Sequence, residues 1–417
     1  MIKARNIGRL MRLDPARCRS ELQEALDLHV AGEPGGLRPE EFSVRDLAEE
    51  LIVDRQGEPI GYRGVNDLYN PMQVTEATSA VDSTAFANIT GQLVISQVLQ
   101  SYQSEEYVAS RLVPNRPTRF DGEKIPGVAM PSDPGKDDLE VREAQEYPSF
   151  GFGEEYIETP STTKRGLVIP VTKEAIFFDR TGLVLNRASQ VGEILGLNKE
   201  KRLLDVMIGA VNPYQEKRAG DAALTSRNTF YASSDSGPWV NQRYSNELED
   251  WSAIDVAEQL FADMLDPNTG EPILIGGRVI MVPPAKAMTG RRLLSATELR
   301  ETTNTNTQMV SGNPLAGMGL RMEASRLLYR RLISALSLDA DTAKGYWFYG
   351  DPAKAFAYME NWPISVVQAP ANSEAEFMQD VVVRYKASER GAAAVMEPRA
   401  WQKHCTAAAA AASSSSP

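Results

Sequence analysis

The stretch from Pro114 to Pro148 constrains this chain more than any other, because it carries prolines at 114, 117, 126, 131, 134 and 148. Each proline removes a backbone N–H and fixes φ, so no continuous helix can cross it. The region is also strongly charged: from Asp121 to Glu158 there are eleven acids against three bases, Lys124, Lys136 and Arg142. A segment of that composition has too little apolar surface for a core of its own. The pattern predicts a long, projecting, acidic hairpin or loop over 118–158, and connections of that length are usually functional or disordered. The rest of the chain must supply the packed body that carries it.

With 417 residues there is room for one large domain or two to three ordinary ones. Hydrophobic residues make up 42% and charged residues 24%, values that suit a globular core. No run approaches the roughly 20 apolar residues of a bilayer span, and no apolar signal core follows the basic N-terminus. A soluble protein without a membrane partner is expected. The two cysteines, Cys18 and Cys405, stand near opposite ends, which excludes a disulfide framework and a cysteine-based zinc cluster. Lys and Arg number 44 against 56 Asp and Glu, a net charge of −12. That balance argues against a sequence-reading nucleic-acid protein, which needs a dense basic face. Met1–Ser20 is the local exception, with Lys3, Arg5, Arg9, Arg12, Arg17 and Arg19 against Asp14. It reads either as a solvated helix face paired with the acids of 21–58 or as an arm that touches nucleic acid or an acidic partner.

Apolar spacing predicts short helices within 1–75, then a stronger helix whose face is Phe86, Ile89, Leu93, Val94, Val98 and Tyr102. A strand is expected over Tyr156–Thr172. The longest element is a helix from about Asp179 to Gly209, with Val184, Ala188, Val191, Leu195, Leu204, Met207 and Ile208 as its apolar positions. Gly192 and Gly196 inside it each cost about 1 kcal/mol relative to Ala, which close packing against a neighbour would offset. Residues 213–246 read as a loop-rich insertion. Helices follow over Trp251–Leu265 and Ala285–Ser295, with Ile273–Ile275 and Arg278–Val282 between them as strands. Thr302–Gly319 reads as loop. Strands are expected at Trp347–Asp351, Ile364–Gln368 and Phe377–Ala387, the last with Ala394–Glu397 as hairpin partner. The low-complexity tail from Thr406 is left out of the fold.

Chemistry is scarce. There is no G-x-x-x-x-G-K-[ST] phosphate loop and no G-x-S-x-G elbow, and Gly35-Gly36 and Gly276-Gly277 read as turns. His404-Cys405 is a base beside a thiol, but neighbours in sequence next to a low-complexity tail rarely hold catalytic geometry. Glu105-Glu106, Asp137-Asp138 and Glu154-Glu155 read as solvated charges rather than dyads. No catalytic, cofactor-binding or metal-binding residue is assigned, and no cofactor is expected. Tyr346–Trp362 reads as a core strand with a turn at Gly350-Asp351-Pro352, in preference to a stacking surface for nucleic acid. Arg321, Arg326, Arg330 and Arg331 read as a solvated helix face or as the receiver of an acidic element from another subunit.

Several stretches, taken in order, resemble the major capsid proteins of tailed bacteriophages with the Hong Kong 97-type fold. The acidic projection at 118–158 sits where that family has its extended loop. Tyr156–Thr172 and the long helix to Gly209 resemble the entry into its peripheral domain and spine helix. The segments DVAEQLFADMLDPNTGEPILIGGRVIMVPPAKAMTGRRLL at 255–294, GYWFYGDPAKAFAYMENWPISVVQ at 345–368 and FMQDVVVRYKASERGAAAVMEPRAW at 377–401 are similar to its axial-domain and closing-strand patterns. The resemblance implies an α+β capsid fold divided as follows: an arm or accessory segment at 1–75, an N-arm helix and linker at 76–117, the loop at 118–158, a peripheral domain with the spine helix at 159–212, an axial domain at 213–365, closing strands at 366–404 and a tail at 405–417. It implies a non-enzymatic subunit that assembles with itself into hexamers and pentamers of an icosahedral head shell. Scaffold, portal and protease proteins are possible partners, and the shell encloses double-stranded DNA without reading its sequence. Such a protein is assembled in the host cytoplasm and ends in the virion. Loop lysines Lys124 and Lys136 match no cross-linking position, so covalent cross-linking is not expected. The loop is expected to dock on a neighbour's basic face, with Arg291, Arg292, Arg326, Arg330 and Arg331 as receivers. Two other readings stand beside this one: an encapsulin-type compartment that encloses enzyme cargo, and a soluble α+β enzyme using carboxylates.

Overall fold

The structure is a computed structural model that describes Leu28 and residues 93–126, 141, 143, 156–172, 181–218, 221–265, 272, 273, 275–302, 308–369 and 381–405. The basic N-terminal stretch, Phe86, Ile89, Lys136, Asp137-Asp138, Glu154-Glu155 and the tail lie outside them. The chain divides into two compact units. The first takes its described residues from Met1–Glu105, Lys164–Asn198 and Trp362–Arg390, the second from Glu106–Thr163, Lys199–Asn361 and Gly391–Pro417.

In the first unit, residues 93–102 are helical and bury Leu93, Val94 and Val98. The long helix runs Thr181–Met207, and its first-unit part buries Val184, Leu185, Ala188 and Leu195, the spacing of one helical face. The expected close approach at Gly192 is present: a Cβ there would lie 2.4 Å from the carbonyl oxygen of Val98 and 3.0 Å from the Cβ of Ser101. Ser101 and Ser189 share a hydrogen bond of 2.8 Å, and the Tyr102 hydroxyl donates to Glu389 at 2.5 Å. The strand Thr163–Thr172 buries Ile169 and Val171 and lies beside Val381–Val395, which in turn lies beside Phe356–Gln368. Gly166 permits this contact, since a Cβ there would stand 2.5 Å from the Ala387 carbonyl.

The second unit is built on a mixed five-stranded sheet in the order Arg321–Ala324, Val279–Val282, Trp347–Gly350, Trp401–Cys405, Gln242–Tyr244. The outer pairs are parallel and the inner pairs antiparallel, with Phe348 opposite Met281 and Trp347 opposite His404. The three inner strands are buried at every residue, which requires cover on both faces. Period-two alternation sorts their side chains. Val279, Met281, Phe348 and Trp401 join Leu203, Leu204, Met207, Leu328 and Leu332 in one cluster. Ile280, Val282, Trp347 and Tyr349 join Ile254, Ala257, Phe261 and Leu293 in the other. The covering helices start on local signals: Asp250 caps Trp251–Ala262, proline opens Pro284–Ser295, and Ser325 caps Arg326–Ala335 through the Leu328 N–H at 3.1 Å. No helix among the described residues is long and apolar enough to cross a membrane.

Several expectations need correction. The strand expected over Tyr156–Thr172 is two, Tyr156–Glu158 and Thr163–Thr172. The break comes at Pro160, which has no N–H, and the flanking Thr159 and Thr162 are bonded to Glu123 and Asp121. Thr302–Gly319 is not simply loop: Glu298–Thr302 and Gln308–Gly312 pair antiparallel, and a 3-10 turn follows at Pro314–Gly317 under an Asn313 cap. Of the strand expected at Ile273–Ile275, the described Ile273 and Ile275 lie in none, and the pairing described nearby is a bridge between Leu265 and Pro272. Ala394 does not begin a hairpin partner. It continues the strand Val381–Val395, because Gly391 is no turn but the place where the Tyr358 ring crosses, 2.7 Å from a Cβ built there. The loop-rich reading of 213–246 missed three short strands, Gln215–Lys217, Thr225–Ser226 and Gln242–Tyr244. Arg321 lies on a strand, off the helix that carries Arg326, Arg330 and Arg331.

Candidate assembly surfaces

The two ends of the acidic stretch meet in a defined foot. Lys124–Pro126 pairs antiparallel with Tyr156–Glu158, which pairs with Gln215–Lys217 and then with Thr225–Ser226. Below the first pair, the Glu123 N–H donates to the Thr159 hydroxyl at 2.8 Å and the Thr159 N–H donates to the Glu123 carbonyl at 3.0 Å. Asp121 Oδ1 accepts from the Thr162 N–H at 2.6 Å and from its hydroxyl at 3.0 Å, and Gly122 makes the turn between them at φ +83°. These bonds bring the two ends of the acidic stretch, Pro126 and Tyr156, side by side. Lys124 lies 3.9 Å from the Glu158 carboxylate, with its amine 4.8 Å from the Tyr156 ring centroid. Phe120 stands beside the foot, 66% exposed. On the neighbouring strand Glu216 is buried among the cations of Arg218 at 2.8 Å and Arg227 at 3.1 Å and accepts from the Tyr214 hydroxyl at 3.1 Å. Burial, together with the Glu216 charge, pushes the Tyr214 phenol well up.

The expected receivers separate into two groups. Arg326 and Arg330 are exposed one turn apart on Arg326–Ala335, and Arg291 and Arg292 are exposed on Pro284–Ser295; none of the four makes an ion pair among the described residues. Arg331 is engaged: its guanidinium grips Asp205 through two bonds of 2.6 and 2.7 Å. Arg321 shares Glu323 with Arg111, at 3.2 and 2.6 Å.

The sites weighed for chemistry are placed as follows. His404 and Cys405 lie in an inner strand of the sheet. The His404 ring stacks on Trp347 with centroids 4.2 Å apart, and its two nitrogens meet Asn246 at 3.2 Å and Gln402 at 3.0 Å. Burial, helped by the charge of Arg243, pushes its pKa down to about 3, and burial pushes the Cys405 thiol up to about 11. A neutral imidazole and a protonated thiol inside a closed core cannot act as base and nucleophile on an outside substrate. Glu105 and Glu106 are exposed. No group of three or more His, Cys, Asp or Glu residues is arranged to hold a metal among the described residues. Tyr346, Trp347, Phe348, Tyr349, Phe356 and Tyr358 are buried, so this aromatic run is core. Residues that pattern reading missed are charges on the long helix: Lys199 and Glu200, both buried, and the half-buried Asp205. The sequence offers little signal for them, because 199–208 carries five charged residues and nothing local tells Lys199, Glu200 and Asp205 from Lys201 and Arg202.

The described residues thus form a mixed sheet covered on both faces, with the paired strands 124–126 and 156–158 at the two ends of the acidic stretch. The family described as Phage capsid protein matches residues 155–404, well over half of the chain, and the chain belongs to that family. It is a phage capsid protein, a structural subunit of the capsid, built of mixed helices and strands. The virion is its location. Solved structures similar to the chain include one from Mycobacterium phage Ogopogo, at 14% identity and TM-score 0.39, covering 72% of this chain and 91% of that one. The capsid of a native GTA particle gives 10% identity and 0.39 over 73% and 91%. The SrpI encapsulin complex from Synechococcus elongatus gives 10% identity and 0.38 over 73% and 88%. No curated protein matches the chain.

Proposed function

We propose that the chain builds the head shell of a tailed phage as hexamers and pentamers, and that the acidic loop over 118–158 is the element that ties one copy to the next. The foot carries this reading. Paired strands at 124–126 and 156–158 bracket a segment that carries eight acids against Lys136 and Arg142, a composition too charged to fold against its own subunit. Arg291, Arg292, Arg326 and Arg330 of a neighbouring copy supply the complementary charge, while Arg331 is committed to Asp205. Within this reading 1–75 is the arm or accessory segment, 76–117 the helix and linker, 159–212 the peripheral domain with its spine helix, 213–365 the axial domain, 366–404 the closing strands and 406–417 a tail; Cys405, expected in the tail, instead ends the strand Trp401–Cys405. The subunit has no enzymatic role. Assembly takes place in the host cytoplasm with scaffold, portal and protease partners, and the finished shell encloses double-stranded DNA. An acidic subunit suits that task, because a motor-filled container gains nothing from nonspecific adhesion to its contents. The test is electron microscopy of the full chain and of a variant lacking 127–150, which keeps both strands of the foot. Shells from the full chain, with free capsomers or monomers from the deletion, support the reading; normal shells from the deletion refute the docking role of the loop.

A further inference from the structure

The stretch that leads into the loop is gripped by two adjacent buried ions on the long helix. Glu200 is 0% exposed and Lys199 is 5% exposed. Consecutive helix residues point about 100° apart, so the two side chains take hold of different places. The Glu200 carboxylate accepts from the Ala109 N–H at 2.7 Å, the Ser110 N–H at 2.8 Å and the Ser110 hydroxyl at 2.8 Å, at the start of the short helix Val108–Leu112. Lys199 Nζ donates to Asn115 Oδ1 at 3.2 Å and lies 4.2 Å over the Tyr358 ring. Just beyond, Asn115–Pro117 pairs parallel with Tyr358–Glu360, the Thr118 N–H donates to the Glu360 carbonyl at 2.9 Å, and Asn361 Nδ2 bonds the carbonyls of Thr118 and Phe120 at 3.1 and 3.2 Å. The hold is continuous from 109 to the foot at 121.

Apolar side chains of similar volume would fill these two positions without the desolvation penalty that buried charges carry. Ions supply what apolar residues cannot, a fixed register and direction for the backbone they hold. We infer that Glu200 and Lys199 are positioning residues for assembly, setting the register of 109–115 and so the direction in which the loop leaves its foot. The inference rests on the proposed docking role of the loop.

The full chain is compared with Glu200→Ala, Glu200→Gln, Ser110→Ala and the 127–150 deletion, reading amide hydrogen exchange by segment together with shell yield. In Glu200→Ala, exchange across 109–126 accelerates about ten- to a hundred-fold while strands 279–282 and 347–350 stay within about two-fold, the loss expected for bonds to a charged acceptor. Shell yield falls about ten-fold or more in the same variant. Glu200→Gln, which retains one acceptor oxygen, recovers part of both, and Ser110→Ala, which removes one donor of three, gives a smaller shift of the same pattern. Equal acceleration of the core strands means ordinary destabilisation and overturns the inference, as does unchanged exchange at 109–126. Loosened exchange with undiminished shell yield overturns the assembly role. Normal shells from the deletion overturn the docking reading and the assembly half of this inference with it, while the exchange data judge the grip separately.

Discussion

Lys403 is 8% exposed, with its amine on the Ile208 carbonyl at 3.2 Å and the rings of Phe230 and Tyr346 centred 5.4 and 5.5 Å away. It closes the C-terminal end of the long helix, where a cation is favoured, yet burial still pulls its pKa down to about 8. A lowered lysine holds its proton less tightly folded than unfolded, so stability rises with pH from about 8 toward the ordinary 10.5, by up to about 1.4 kcal/mol per unit. Buried Tyr214, Tyr346, Tyr349 and Tyr385 have raised values and oppose this above about pH 10. The clean reading is therefore the difference between wild type and Lys403→Met in urea unfolding at pH 8 and about 9.5, where the variant loses the upward slope. His404 acts at the other end of the scale. Held near 3 in the fold and 6.5 unfolded, it takes up its proton only on unfolding, so stability falls as pH drops from 6.5 toward 3. His404→Gln should flatten that acid limb by up to about 1.4 kcal/mol per pH unit, measured by denaturant midpoints between about pH 6 and 4. Sequence placed His404 beside a tail; only strand pairing revealed that it is core.

Within elements, Gly192 shows how packing overrides propensity. Replacing it with Ala gains about 1 kcal/mol of helix preference, but the new Cβ would stand 2.4 Å from the Val98 carbonyl, and overpacking of that kind costs about 1–3 kcal/mol. The expected outcome is a net loss, seen as a lowered Tm; a raised one would mean that the two helices part easily. The Asp205–Arg331 grip is the other element-scale test. Arg331→Met should cost about 1.5–3 kcal/mol in unfolding free energy, as loss of bonds between charged groups does. The long helix and the helices at 251–262 and 284–295 were legible because their apolar positions repeat at the helical period. The strands at 298–302 and 308–312 were not, since their residues are polar and only the partner strand makes them a pair. The hairpin expected at Ala394–Glu397 failed for a related reason: the strand runs straight through Gly391, whose missing side chain admits the Tyr358 ring, a contact no local pattern shows.

For the whole molecule, the arginine surface and the acidic loop belong to one prediction. Arg326→Glu with Arg330→Glu changes two exposed side chains, so monomer stability should move by no more than about 0.5 kcal/mol. If the loop of a neighbour docks there, shell yield under the microscope should still fall steeply, and combining the reversal with the 127–150 deletion should add little. An undiminished yield would move the docking face elsewhere. By itself the sequence determined that a charged, proline-broken stretch interrupts the chain, that the rest holds an apolar core, and in what order the main helices and strands come. These properties depend on composition and local period, which a linear chain displays. Tertiary structure alone decided that 124–126 and 156–158 close the projection at one foot, that Arg331 is committed while Arg326 and Arg330 are not, and that Glu200 reaches back to Ala109 and Ser110. Each of those joins residues far apart in the chain, and a carboxylate's partner is fixed by where folding brings a donor, which no local pattern records.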